Sequence, residues 1–191
     1  MSELIHRSGI SCMSTAKKYQ PHDTVEDYQH WDGDWELWNG VAVAMTPSPF
    51  GRHASANVRI ASALDIAVEA SGCRATVLAE IDWIISRDTI LRPDVSVVCG
   101  GPPEKHVEEV PALVVEILSA STRERDLTFK KQIYQEQAVP WYLMIDPDAN
   151  TLQALRLNSG GEYQLVDHAK SLVVDICSDC SLDVRVDRLF S

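Results

Sequence analysis

Apolar and polar positions along this chain follow two rhythms, one with the period of a helix and one with the period of a strand. Thr24, with Asp27 three residues on, opens a short helix near Val25–Trp31. Trp35-Glu36-Leu37-Trp38 and Val41-Ala42-Val43-Ala44 flank Asn39-Gly40, the pair favoured in a type I′ turn, and predict a β-hairpin. Pro47 to Gly51 reads as a loop. From His53 to Ala70, Val58, Ile60, Ala61, Leu64, Ile66 and Ala67 suit an amphipathic helix that Ser71-Gly72 ends. Strand-like runs follow at Ala75–Ser86, Ile90–Val98 and Ala112–Ser119. A charged helix spans Thr122–Gln137, and Trp141–Ile145 is a further strand before Asp146-Pro147-Asp148. The remainder, Thr151–Ser191, alternates short strands and turns, among them Ser171–Ile176 and Leu182–Val186. Helix, three strands, helix, strand is the order of a mixed α/β fold, a sheet flanked by helices. Met1–Gln20 lacks periodicity and reads as a flexible segment before a single domain over residues 21–191.

Composition narrows the function classes. Lys and Arg total 17 and Asp and Glu 28, a net charge of −11, which excludes a binder that holds nucleic acid by bulk positive charge. It leaves room for an enzyme whose acids gather around metal ions, provided Lys and Arg collect at the cleft. No run of 18 apolar residues exists, so no membrane helix is expected, and the first 20 residues have no signal-peptide core. The five cysteines (Cys12, Cys73, Cys99, Cys177 and Cys180) are odd in number and irregularly spaced. That argues against a disulfide framework and for a reducing cytoplasm. Cys177-Ser-Asp-Cys180 is a single CxxC; a zinc ribbon needs a second ligand pair, and only His168 is near in sequence, so a surface turn is the plainer reading.

The informative positions are charges where the pattern calls for apolar residues. Glu116 sits inside Leu113-Val114-Val115-Glu116-Ile117-Leu118, a run typical of a central strand. A carboxylate there must be paired, protonated or metal-bound, because burying it alone is costly. Asp94 in Arg92-Pro93-Asp94-Val95 poses the same problem, with a structural ion pair to Arg92 as the ordinary solution. Adjacent strands lie about 4.8 Å apart, so both acids are able to reach one divalent cation.

Other groups join this pair. At roughly 100° per residue with Leu127 at 0°, Ile133 falls near about 240°, Lys130 about 300° and Tyr134 about 340°, so Lys130 points inward. Its alternatives are a stem that snorkels to solvent and a helix-surface pair with Asp126. Glu36 lies between Trp35 and Leu37 and is expected to point away from the tryptophans. Glu80 and Asp82, two apart in a strand, share a face and are second-tier candidates, as is Tyr134. His53, after the Pro-rich loop, is a candidate phosphate contact, with a surface position at a helix start as its alternative.

Taken in order, Trp35-Glu36-Leu37…Asn39-Gly40, Arg92-Pro93-Asp94-Val95, Val115-Glu116-Ile117-Leu118-Ser119, Asp126-x3-Lys130-x3-Tyr134 and Val139-Pro140-x-Tyr142-x3-Asp146-Pro147 are similar to the Uma family. That family falls within the PD-(D/E)XK, or restriction-endonuclease-like, nucleases. The resemblance runs from Thr24 to Phe190 and implies a four-stranded mixed sheet flanked by helices. It also implies a metal-dependent endonuclease that cuts nucleic acid, DNA above all, as a homodimer. It matches Asp94 to the Asp of the PD motif and Glu116 to the second acid. The lysine of that motif would fall at Leu118, and Lys130 takes its place from the following helix. Glu36 matches an early glutamate. Mg²⁺ or Mn²⁺ would be held by Asp94, Glu116 and the Ile117 carbonyl, with His53 and Arg92 toward substrate. The chain departs from the family at Ala138, where a glycine is usual, and at Val41, where an acid is. Two alternatives use the same residues: a catalytically silent nuclease fold that only binds, and a hydrolase of small phosphodiesters.

Overall fold

The computed structural model describes residues 21–45 and 51–190; the expected flexible segment 1–20 and most of the Pro47–Gly51 loop lie outside them. Local signals set the first elements. Thr24 caps α1 (Val25–Tyr28), and Asp27 returns the bond to complete a capping box. β1 (Trp35–Trp38) and β2 (Val41–Ala44) pair antiparallel around Asn39 (φ 47°) and Gly40 (φ 79°). Both turn residues are left-handed, as a type I′ turn requires. α2 (Gly51–Ser71) buries Ile60, Leu64 and Ala67. Val58 and Ile66, counted with that face from the pattern, are 67% and 64% exposed. Val58 is two positions from Ile60 and Ile66 two from Leu64, each nearly opposite that buried neighbour on the helix, so neither completes the stripe.

Two of the expected long strands are each broken, and the breaks build the site. The first divides at Glu80 (φ 51°) into β3 (Ala75–Ala79) and β4 (Trp83–Ser86). The second divides at Arg92-Pro93-Asp94 into β5 (Thr89–Leu91) and β6 (Val95–Cys99), where Pro93 brings no N–H to a ladder. At each break the chain changes sheet. β4 and β5 join the first hairpin in a four-stranded sheet of order β2-β1-β5-β4. β3 and β6 join β7 (Leu113–Ile117), β8 (Trp141–Asp146), β9 (Thr151–Leu157) and β10 (Tyr163–Val166) in a sheet of order β10-β9-β8-β7-β6-β3. Only β7 and β8 are parallel there, and the helix of residues 123–136 (α3) connects them. The mixed α/β architecture is as expected, but this sheet has six strands rather than four, because the C-terminal alternation adds β9 and β10.

The large sheet is covered on both faces. Val95, Val97, Leu113, Val115, Leu143 and Ile145 pack beneath α2 and the C-terminal hairpin, β11 (Ser171–Ile176) with β12 (Cys180–Arg185). Val98, Val114, Leu118, Tyr142 and Met144 on the other face meet Ile133 and Tyr134 of α3, with Trp83 and Leu91. Each such aliphatic side chain contributes about 1.5–3 kcal/mol on burial. Strand alternation sends Glu116 to this second face with Val114 and Leu118, under α3.

Four cysteines are paired, against the expectation from their number and spacing. Cys73–Cys180 and Cys99–Cys177, with Cα atoms 5.8 and 5.6 Å apart, tie the β11–β12 turn to the end of α2 and the end of β6. The partners are 107 and 78 residues apart, so sequence spacing carried no trace of them. The turn itself was expected, but its cysteines are bridge partners, and the cysteine argument for a reducing cytoplasm falls with the correction. Among the described residues no helix is long and apolar enough to cross a membrane.

Candidate active site

The β6/β7 register pairs Val95 with Val115, so Asp94, one residue before β6, stands across from Glu116. The Ile117 N–H donates to Asp94 Oδ2 at 2.6 Å, and His53 Nε2 of α2 lies 3.5 Å from Asp94 Oδ1. α3 supplies the opposite wall. Lys130 Nζ is 2.9 Å from Glu116 Oε1, 3.0 Å from Glu36 Oε1 and 3.5 Å from the Arg92 carbonyl. The Tyr134 hydroxyl donates to Glu116 Oε1 as well. Glu36 Oε1 also accepts the Arg92 N–H at 2.7 Å, and its Oε2 accepts Trp38 Nε1 at 3.1 Å. Glu116 of β7, Glu36 of β1 and the Arg92 carbonyl thus converge on one ammonium, which neither snorkels nor pairs along the helix surface.

Burial and charge set the protonation of this cluster. Glu116 and Lys130 are only 3% and 5% exposed. Desolvation lifts the Glu116 carboxyl well above its usual range, Lys130 pulling against it, and lifts Asp94 likewise against His53. Burial alone would lower the Lys130 ammonium, but Glu116 and Glu36 override it and hold it charged. Lys130 therefore stands in the cluster as a cation that donates to Glu116 and pairs with Glu36. Asp126 is pushed up to about 6 by burial, moderated by Lys130.

Several positions differ from the sequence reading. Asp126 is 2% exposed and lines the cavity instead of decorating the helix surface. Its signal was the i, i+4, i+8 spacing Asp126-Lys130-Tyr134, one helix face, all three of them buried. Leu127, the reference of the inward arc, is 38% exposed. Residues Asp126–Lys130 form a π-turn, which rotates that arc, and such turns frequent functional sites. Glu36 shares a face with Trp38, two residues on, and does not point away from it. Arg92 pairs with Asp82 (2.7 Å) and Asp34 (2.8 Å), not with Asp94. Glu80 and Asp82 part company at the left-handed Glu80 backbone. Glu80 takes Asn57 Nδ2 at 3.1 Å beside Asp94, while Asp82 turns to Tyr28 and Arg92. His53 is half-buried against the site, so it is not the surface histidine of the alternative reading.

The cavity enclosed by these groups is about 50 Å³, lined by Glu36, His53, Asp94, Glu116, Asp126 and Lys130, with Arg92 and Arg125 at its margin. That is room for an ion and a water or two, not for a sugar. Four carboxyls face it against Lys130 and the two arginines, and Asp82 and Asp34 already occupy Arg92. Among the described residues no three His, Cys, Asp or Glu side chains converge as a ready-made metal centre. The donors do fit a hard divalent cation: carboxylate oxygens and a backbone carbonyl, with more acid than Lys130 neutralises.

Comparison with known proteins agrees with this architecture. A crystal structure described as a "putative nuclease" from Anabaena variabilis superposes with a TM-score of 0.68 at 20% identity, covering 87% of this chain and 97% of that one. At that identity the likeness is one of fold. No curated protein is a significant match. The profile of the Uma2 family, described as "Putative restriction endonuclease", matches residues 25–185, and the chain belongs to that family.

Proposed function

We propose that this chain is a metal-dependent endonuclease that hydrolyses phosphodiester bonds of DNA. The observation that carries the reading is the buried meeting of Asp94, Glu116 and Glu36 around Lys130. A structural ion pair needs one acid for one base; here Lys130 meets two acids directly, with Asp94 and Asp126 facing the same small cavity. Excess carboxylate in a closed pocket stabilises a cation and is hard to explain as packing.

In this reading Asp94, Glu116 and the Ile117 carbonyl hold one or two Mg²⁺ or Mn²⁺ ions. A bound divalent ion neutralises phosphate charge and lowers the pKa of its water. The chain's own groups do the rest. The Ile117 N–H fixes Asp94 Oδ2, and Tyr134 with Lys130 fixes Glu116 Oε1, so the acids are oriented before substrate arrives. Lys130 orients or helps deprotonate the attacking water and offsets phosphate charge. His53, beside Asp94, faces the incoming phosphate. Two copies acting together would cut both strands.

Incubating the protein with supercoiled plasmid and Mg²⁺ or Mn²⁺ tests this. Nicking that requires the ion and disappears in Asp94→Ala is the expected result. No cleavage of any nucleic acid with either ion would overturn it, and cutting of a small phosphodiester alone would replace DNA as the substrate.

A further inference from the structure

A second cavity, of about 300 Å³, lies on the other side of Arg92, and neither the catalytic cluster nor the family assignment gives it a role. Tyr28, Trp31 and Trp35 wall it. Tyr28 and Trp31 meet edge to face at 5.4 Å between centroids, and Trp31 and Trp35 at 5.8 Å. Its polar floor is one network. The Tyr28 hydroxyl donates to Asp82 Oδ2 at 2.9 Å, and Arg92 reaches Asp82 Oδ1 at 2.7 Å and the Tyr28 oxygen at 3.1 Å. His106 Nδ1 stands 3.9 Å from Asp82.

We infer that this cavity receives one nucleobase of the substrate strand, unstacked from its neighbours; the inference rests on the nuclease reading and names where that substrate is gripped. Three features select a flat, uncharged, hydrogen-bonding ring. The volume sits at the low end of small-molecule pockets, which run from roughly 300 Å³ upward. The walls are aromatic, the surface on which bases of any sequence stack. Among the lining groups Arg92 is already matched by Asp82, and Asp34 holds it as well, so a phosphate finds no free positive charge there. Arg92 also sets the spacing. Its backbone N–H and carbonyl touch Glu36 and Lys130 in the catalytic cluster, and its guanidinium forms the floor of the second cavity. One arginine side chain therefore separates the two, comparable to the reach from a phosphate to a base on the same strand.

Tryptophan fluorescence tests it on the whole protein, with Ca²⁺ in place of Mg²⁺ to withhold cleavage. The probe is a short single-stranded DNA and a series of the same strand with one abasic sugar moved along it. An abasic sugar at one position should abolish the quenching and weaken binding about ten-fold, the scale of one lost stacked base. Trp31→Ala should weaken the intact strand by a similar factor and leave the abasic strand unchanged, whereas Trp31→Phe should bind nearly as the wild type does. An abasic scan that is flat at every position, or Trp31→Ala binding the intact strand as tightly as wild type, overturns the inference. Asp94→Ala separates the two readings. If it still cleaves with Mg²⁺ while the scan shows its minimum, the catalytic reading fails and the cavity stands. If it is inert while the scan is flat, the reverse holds.

Discussion

Lys130 is the residue on which the cluster turns. Replacing it with Met leaves Glu36 and Glu116 buried without their cation, and breaking such a pair costs about 3–5 kcal/mol. Denaturant unfolding of Lys130→Met should show that loss at pH 8 and a smaller one near pH 5, where Glu116, held above its usual range by burial, can take up a proton. Asp126 behaves in the opposite sense. Its folded pKa of about 6 lies above the ordinary 3.8, so its contribution is most favourable below about pH 4 and is lost as pH rises through 6. In metal-free buffer Asp126→Asn should therefore stabilise the protein by about 1–3 kcal/mol at pH 8, with the gain vanishing toward pH 4. A thermal-melt series across that range checks both sign and window. Asp94, Glu116 and Lys130 were legible as charges in apolar surroundings. Asp126 was not, because a carboxylate i−4 from a lysine reads equally as a surface pair until α3 is seen packed on the sheet.

At the scale of elements, strand breaks and helix ends decide what the site becomes. Ala138 adopts φ 56° just past α3, and the Val139 N–H closes on the Tyr134 carbonyl at 2.9 Å. That is the 6→1 bond of a Schellman end, whose left-handed residue is normally Gly. Ala138→Gly should raise stability by roughly 1 kcal/mol, measurable as a higher denaturant midpoint with an unchanged slope. The two bridges make the C-terminal hairpin an element held from outside itself. Cys180→Ser, which opens a link across 107 residues, should cost about 2–4 kcal/mol in unfolding free energy. The hairpins, both long helices and the β7–α3–β8 unit were legible because their period and turn residues are local. The sheet changes at Glu80 and at Arg92–Asp94 were not, because each interrupts a run whose apolar pattern continues through it. The cysteine pairs were not either, since they join positions far apart in the chain.

For the whole molecule, a net charge of −11 remains the constraint any nucleic-acid partner must meet. The Lys and Arg residues lining the catalytic cavity are Arg92, Arg125 and Lys130, and Arg92 and Lys130 already bind acids. Among the described residues no further Lys or Arg lines this cavity. Binding of DNA should accordingly depend weakly on salt, with a slope of log K against log salt of about −2, against the steep values of proteins that neutralise many phosphates. In the proposed reading, affinity rests on base contacts and on divalent ions more than on phosphate pairing. The claim beneath all of this is that Asp94 and Glu116 are metal ligands held apart from water by α3. Titrating Mn²⁺ into the metal-free protein, with Asp94→Asn as the paired sample, measures it directly. Saturable binding of one or two ions per chain, lost in the variant while its melting temperature is retained, is the result this structure predicts. Wild type that takes up no more Mn²⁺ than Asp94→Asn would contradict it.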